Sequence, residues 1–424
     1  MKAIYSRILL VLACVSAPVA LSAKDADSLM SYRRSSLYSM MISHPEQEMD
    51  NEIVGAFMSL ETPDKYNNHD LSVKCITTDR RKDDARMEVE DFLRRNMVAK
   101  RLVAKWFMRN KVTGGFEPAL VLERGLYDAT AMDSEIAAQS KRGTLALADN
   151  GYDLIDNTFV IVNDITYIDH EANADVATGI LSVIGGVAAA ITGEENNAVT
   201  SLATLGALVS SQIAGFAVNI NTHLYQLDWN DSIAGRFYDL YYYEKPADDS
   251  ASMAAFYADS TIAARKAAFE ADSTTFRLKY VGSYKSRSDK PVLRGLYSPE
   301  DVFRKVLARA VDKNIMNLQK NFDQFKVKVP VNDVDGAYVT ARIGLKEGVS
   351  PKSKYEVLVP VLDEATGRIS YNRKGVLRPE PKKIWDNRYM AGEEEAAGAD
   401  LNATTFKIVS GTGILPGMLI REMK

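Results

Sequence analysis

Few residues in this chain are equipped for acid–base, nucleophilic or metal chemistry. Histidine occurs only at His44, His69, His170 and His223. No two of them stand at metal-ligand spacing and there is no Cys-x-x-Cys pair, so a zinc site has little support. His69-Asp70 lies in a turn-rich loop and reads as a surface turn rather than half of a dyad. The cysteines are Cys14 and Cys75. Cys75, in Leu71-Ser72-Val73-Lys74-Cys75-Ile76, reads as a small hydrophobe rather than a reactive thiol. Gly411-Thr412-Gly413 with Pro416-Gly417 superficially matches a phosphate loop. It lacks the following lysine-hydroxyl pair, and proline falls where a helix should open, so it reads as a β turn. No Gly-x-Ser-x-Gly elbow occurs. The expectation is therefore no catalytic residue, no cofactor and no metal, that is, not an enzyme.

The unusual stretch is Tyr152–Trp229. Phe159, Ile161, Ile165 and Tyr167 share one parity, which predicts a strand over Asn157–Asp169. Over Gly215–Trp229, Phe216, Val218, Ile220 and Leu224 share a face before the pattern switches to Tyr225, Leu227 and Trp229, the signature of a bulge or a strand exit. Between these strands, Val176–Gly193 and Ala198–Val218 carry no charge. Val176, Ile180, Ile184, Val187 and Ile191 recur at helical spacing among small residues. Leu202, Leu205, Val209 and Ile213 repeat the pattern, so the pair reads as an apolar helical hairpin whose small residues allow close packing. It either packs within the protein or against another subunit, or it contacts a membrane. Each segment is near the lower limit of a spanning helix, so true spanning is the weakest reading.

The other elements frame this stretch. Ser35–Ser43 reads as a strand and Met49–Leu60 as a short helix. Asp79–Asn110 reads as one long helix with Val89, Phe92, Leu93, Val98, Leu102 and Trp106 in its apolar stripe. Ala119–Gly125 leads into a helical region at Ala129–Lys141. Ile233–Tyr243 reads as strand from its aromatic density, and Ser250–Ala271 as helix, broken or not at Asp259-Ser260. Phe276–Tyr284 reads as strand, and Ser298-Pro299-Glu300-Asp301 opens a helix that runs to about Phe325. From Lys326 onward, short alternating runs give the rhythm of a small β barrel.

With 424 residues, two or three domains are expected. The balance of 52 basic and 56 acidic residues argues against a nucleic-acid partner. Residues 1–23 have the charged start, apolar run and Ala20-Leu21-Ser22-Ala23 site of an export signal, with a lipoprotein leader at Cys14 as the rival reading. Without Cys14 a disulfide framework is excluded.

Several short stretches resemble the curli secretion-channel family of outer-membrane proteins. They are Leu122-Glu123-Arg124-Gly125-Leu126, the strand from Asp153 to Val162 with its continuation, Phe216–Asp228, and the helix Ser298–Phe325. In that family a membrane-spanning β hairpin fills the slot between the two central strands; here the slot holds the uncharged segments with a helical period. A second insert would fall around Ala247–Thr275. The tail resembles the C-terminal domain of a periplasmic flagellar assembly protein, designated T, through Ile343-Gly344-Leu345-Lys346-Glu347-Gly348, Tyr355-Glu356-Val357 and Ile414-Leu415-Pro416-Gly417-Met418. The resemblances imply an exported, periplasmic or outer-membrane-associated assembly or secretion component, with itself, another envelope protein or a membrane as partner. A curli-type channel and a periplasmic hydrolase stand as alternatives. The expected fold is α+β: an α/β domain over 25–325 interrupted at 170–215 by the apolar α-helical hairpin, then a small β barrel over 326–424.

Overall fold

The computed structural model describes residues 35–47, 49–77, 86–127, 153–168, 213–214, 217–247, 249–288, 292–293, 299–362, 369–389, 391–392 and 397–423. It is a mixed α/β protein with two main sheets. The first contains β1 (Ser35–Ser43), β2 (Tyr66–Asn68), β3 (Cys75–Thr77), β4 (Thr158–Ile168), β6 (Ala217–Leu227) and β7 (Leu278–Ser288), in the order β2-β1-β4-β6-β7, with β3 also on β1. Strands β2, β3 and β4 run parallel to β1, whereas the β4–β6 and β6–β7 pairs are antiparallel. A separate two-residue ladder joins β5 (Ile213–Ala214) to β8 (Val292–Leu293).

Alternation along the central strands sends side chains into two cores. Val160 and Val162 join Tyr38, Met40 and Ile42 in the first, while Phe159, Ile161 and Ile165 join Leu37 and Met41 in the second. The second core is closed by α1 (Asp50–Met58) and α8 (Pro299–Asn321). Over the first lie α2 (Arg86–Arg95), α3 (Val98–Trp106), α4 (Ala119–Tyr127), α5 (Asp231–Arg236), α6 (Ser250–Ala258) and α7 (Ser260–Ala271). Burying both faces of this mixed sheet explains why its strands are apolar on both parities.

Several expectations are corrected. The single helix expected over Asp79–Asn110 is two helices among its described residues, α2 and α3. Met97 is left-handed between them (φ 48°), and Asn96 turns its amide onto the Phe92 carbonyl at 2.9 Å, ending α2. The strand expected over Ile233–Tyr243 is α5 followed by a wide turn at Phe237–Tyr241. Asn230 accepts from the backbone of Ser232 and Ile233, capping α5, and Arg265 donates to the carbonyls of Tyr238 and Tyr242. The aromatic density was a core signal: Phe237 and Tyr241 are buried one helical turn apart, beside Phe107, Phe116, Phe269 and Phe276. Asp259 ends α6 and caps α7 through the Thr261 N–H, so the Ser250–Ala271 helix breaks at Asp259.

The second sheet runs β10-β11-β14-β13-β12-β15-β9, with β9 (Lys328–Pro330), β10 (Asp333–Asp335), β11 (Tyr338–Ala341), β12 (Tyr355–Leu362), β13 (Ile369–Pro379), β14 (Thr404–Ser410) and β15 (Leu419–Glu422) all antiparallel. Irregularities at Val357/Leu358 and Val376/Leu377 bend it around one cluster holding Val339, Val357, Leu377, Phe406 and Ile420. Among the described residues β9 and β10 remain as open ends, so the closed barrel expected there is not formed. The two sheets meet along α8 and the turn after it: Phe325 stacks on Tyr66 at 5.2 Å and meets Phe159 at 4.8 Å, and Lys320 donates to the Gly348 carbonyl at 2.9 Å.

Candidate functional site

The register of β4 and β6 defines the candidate site. Their ladder extends to Ile168↔Ala217, so residues 169–216 leave and re-enter the sheet side by side. The end of β7 lies at the same place, Ser288 opposite Val218. Of the residues expected to contact a membrane or partner, Val176, Ile180, Ile184, Val187, Ile191, Leu202, Leu205 and Val209 lie outside the described residues, as does Ala129–Lys141. Ile213 falls in β5, opposite Leu293. The β6–β7 register shifts beside the apolar switch after Leu224, but the extra residue is Val281 of β7; β6 itself alternates regularly against β4 there, Leu224 entering the second core and Tyr225 the first.

At this root the first-core face of the sheet turns polar. His44 Nε2 meets Asp164 Oδ1 at 2.7 Å across the ends of β1 and β4. Asn221, opposite Asp164, reaches His223 Nε2 at 3.2 Å, and His223 Nδ1 lies 2.8 Å from Ser283 Oγ, itself 2.6 Å from the Tyr280 hydroxyl. Asn219, Lys285 and Arg287 continue the same side outward and are exposed. The loop into α1 is braced against this end. Asp50 accepts from Ser43 Oγ at 2.6 Å and the His44 N–H at 2.8 Å. Gln47 donates to the Ile165 carbonyl and accepts from the Tyr167 N–H, standing in for a strand beside β4. On the other face, Asn314 of α8 donates to Thr222 Oγ1 at 2.8 Å, Thr222 donates to Asn163 Oδ1 at 2.8 Å, and Asn163 donates to the Met40 carbonyl. This buried chain ties α8 through β6 and β4 to β1, making the root rigid.

The chemistry available is positional. The Asp164 hydrogen bond is the main cause holding the His44 pKa above its ordinary value, against the opposing effect of burial. The Cys75 thiol is pushed up by burial, with Asp50 adding to the effect, which leaves it a poor nucleophile. It packs against the second core, whereas Asp164 shares the parity of the first-core residues, so thiol and imidazole lie on opposite sides of the sheet. Ser283 touches His223 through Nδ1 while also engaging Tyr280, which orders the hydroxyl. Among the described residues no group of three His, Cys, Asp or Glu side chains could hold a metal ion.

A raised His44 pKa means the ion pair stabilises the fold below the ordinary histidine value of 6.5 and loses that contribution as pH rises through the folded value. Asp164→Asn is therefore expected to lower stability by about 0.5–1 kcal/mol near pH ~5.5, with a smaller deficit near pH ~8.5. Denaturant unfolding at the two pH values checks this; a deficit that grows with pH would contradict it.

His69 also departs from the expectation. It is fully buried rather than part of a surface turn, stacked on Trp106 at 4.9 Å. Arg124 of α4 lies over the same indole at 4.5 Å and donates to His69 Nδ1 (3.1 Å), Ser36 Oγ (2.8 Å) and the Asn68 carbonyl (3.1 Å). The Nδ1 contact leaves Nε2 as the protonated nitrogen, donating to the Leu102 carbonyl at 3.1 Å. Burial, reinforced by Arg124, holds the His69 pKa well below its usual value and keeps the ring neutral. Trp106 Nε1 donates to Thr158 Oγ1 at 2.8 Å. The cluster locks β1, β2, α3, α4 and β4 together, so it is structural. Its only advance signal was Trp106 on the stripe of an expected helix; Arg124 stood in a stretch read as leading into a helix, and nothing paired the two. No protein-family profile matches the chain, and no curated protein sequence matches it.

Proposed function

We propose that the chain is an exported, non-enzymatic component of a cell envelope, periplasmic or outer-membrane-associated, that acts in assembly or secretion. It uses residues 169–216 to contact a membrane or a second protein subunit. The observation carrying this reading is the Ile168↔Ala217 closure: an insertion with two long uncharged runs is rooted at adjacent points on a braced sheet end. A contact element built this way can be engaged without disturbing either core.

The closure also supplies the test. Adjacent antiparallel ends can be joined by a two-residue Asn-Gly turn, so residues 169–216 can be replaced by that turn with the sheet retained. The expected result is a far-ultraviolet spectrum that loses only the helical signal that the sequence assigns to the removed residues and melting within a few degrees, with loss of the multimer or membrane-bound pool on sizing and fractionation. Unchanged size and unchanged fractionation in a folded variant would overturn the proposal.

A channel of the curli type is the second reading, and the position of the insertion between β4 and β6 is what favours it. Against it stands the stretch where a second insert would fall, Ala247–Thr275. It contains α6 and α7 and leaves the sheet at the opposite end, after Leu227↔Leu278. Conductance in planar bilayers separates the two readings.

A further inference from the structure

Strand β7 ends the order of the first sheet, and no described strand pairs with its outer side. It is eleven residues long, and its charged residues are Lys279, Lys285 and Arg287 with no acid. Alternate residues of such an edge point an N–H and a C=O outward, ready to receive another strand. Beside its first residues is a cleft of about 530 Å³ between β7, the preceding turn and α2. Tyr225, Tyr280, Phe276 and Leu278 line it from the sheet side, and Leu93 and Met97 from the helical side. Arg86, Arg94, Lys100 and Arg277 also line it, against the acids Glu90 and Asp272.

The two acids are already engaged. Glu90 holds Arg86 at 2.7 Å, and Asp272 accepts from the backbone of Thr274 and Thr275. Of the cations, Lys100 is committed to the carbonyls of Phe269, Glu270 and Asp272 that end α7. Arg86 lies 4.0 Å over the Tyr280 ring, and exposed Arg277 engages the Thr274 carbonyl through Nε alone, its terminal nitrogens being without a partner among the described residues. The cleft is thus apolar within and basic at its rim, where Arg94 is held by Asp91, next to an edge that no described strand pairs with and whose Lys279 is held by Asp228.

We propose that β7 and this cleft form a docking site for an extended acidic segment of a partner protein. The segment adds to β7 as a further strand, its apolar side chains beside Leu278 and Tyr280 entering the cleft under α2, and its carboxylates standing on the same face farther along toward Lys285, and at the rim toward Arg277. The charge pattern selects the occupant. A second copy of β7 would set lysine and arginine against lysine and arginine, which opposes edge-to-edge self-pairing. An acidic strand meets the same residues with opposite sign.

The test uses the full chain and a fluorescent short peptide in which serine alternates with valine through one half and with glutamate through the other, so that valine and glutamate share one face. Controls are the same peptide with lysine for glutamate and one N-methylated at alternate backbone nitrogens. The acidic peptide is expected to bind saturably and more weakly as salt is raised. The lysine peptide should not bind, and the N-methylated peptide should bind at least about tenfold more weakly because strand pairing is blocked. Arg277→Glu and Lys285→Glu, both exposed, should each weaken binding about tenfold with unchanged melting. Absence of saturable binding, equal binding of the N-methylated peptide, or full displacement by benzoate would overturn the proposal. The last result would make the cleft a site for small organic anions.

Discussion

Replacing Trp106 by alanine is expected to destabilise the fold by about 3–5 kcal/mol, the largest effect of any single substitution considered for the first sheet. The indole is completely buried, so its removal opens a cavity beside α3. The loss does not stop at packing. Thr158 Oγ1 loses the Nε1 donor, and the His69 ring and the Arg124 guanidinium lose the surface against which both are positioned. Arg124 joins α4 to β1 and β2 through Ser36, Asn68 and His69, so loosening it loosens the strand order itself. Trp106→Phe separates the two contributions. It keeps most of the apolar volume but no N–H, and is expected to cost about 1–2 kcal/mol from the lost indole hydrogen bond and the residual void, the Thr158 hydroxyl still donating to the Leu154 carbonyl. Chemical denaturation of the three proteins checks the order. Near-equality of Trp106→Ala with the parent would mean that the cluster does not bear on global stability.

What could be read in advance was local periodicity. The switch at Tyr225 reflects burial of both faces of β6, the bulge beside it belonging to Val281 of β7, but the parity of Phe159, Ile161, Ile165 and Tyr167 places the second-core face of β4 because that signal resides in consecutive residues. Pro299 and Asp259 mark helix starts for the same reason. Three kinds of information were not local. The partners of His69 come from residues 102, 106 and 124, and those of His44 from a strand 120 positions away, so neither environment has a sequence signature. The aromatic run Phe237–Tyr243 is strand-like in composition, yet a cap at Asn230 and a distant arginine, Arg265, complete a helical turn there. Along the expected long helix the arginines and lysines interleave with Asp83, Asp84, Glu88, Glu90 and Asp91, which by itself marks a solvated face. Only the approach of β7 to α2 gathers Arg86 and Arg94 with Arg277 around one cleft.

The second large effect lies where α8 meets the second sheet. Asp312 is placed in this junction with its side chain mostly buried, 3.6 Å from Lys346 Nζ. Burial pushes its pKa up from 3.8 to about 6; Lys346 opposes the rise, and Glu347 and Asp64 add to it. Lys65 in the same junction is shifted down by its own burial, with Glu347 and Asp64 opposing. The sign follows from linkage. A carboxyl whose folded pKa exceeds its unfolded value binds its proton more tightly when folded. Its contribution is therefore fully favourable below pH 3.8 and is lost as pH rises through about 6. At neutral pH the ionised carboxylate leaves the native state less stable than a neutral group of the same shape would. Asp312→Asn is accordingly expected to raise stability by about 2 kcal/mol near pH ~7.5 and to leave it nearly unchanged near pH ~4. Urea unfolding across that range reads the difference as a gap that opens with rising pH. A variant less stable than the parent at pH ~7.5 would show that the Lys346 ion pair outweighs the desolvation of its partner, and that charge rather than its neutralisation holds the two sheets together.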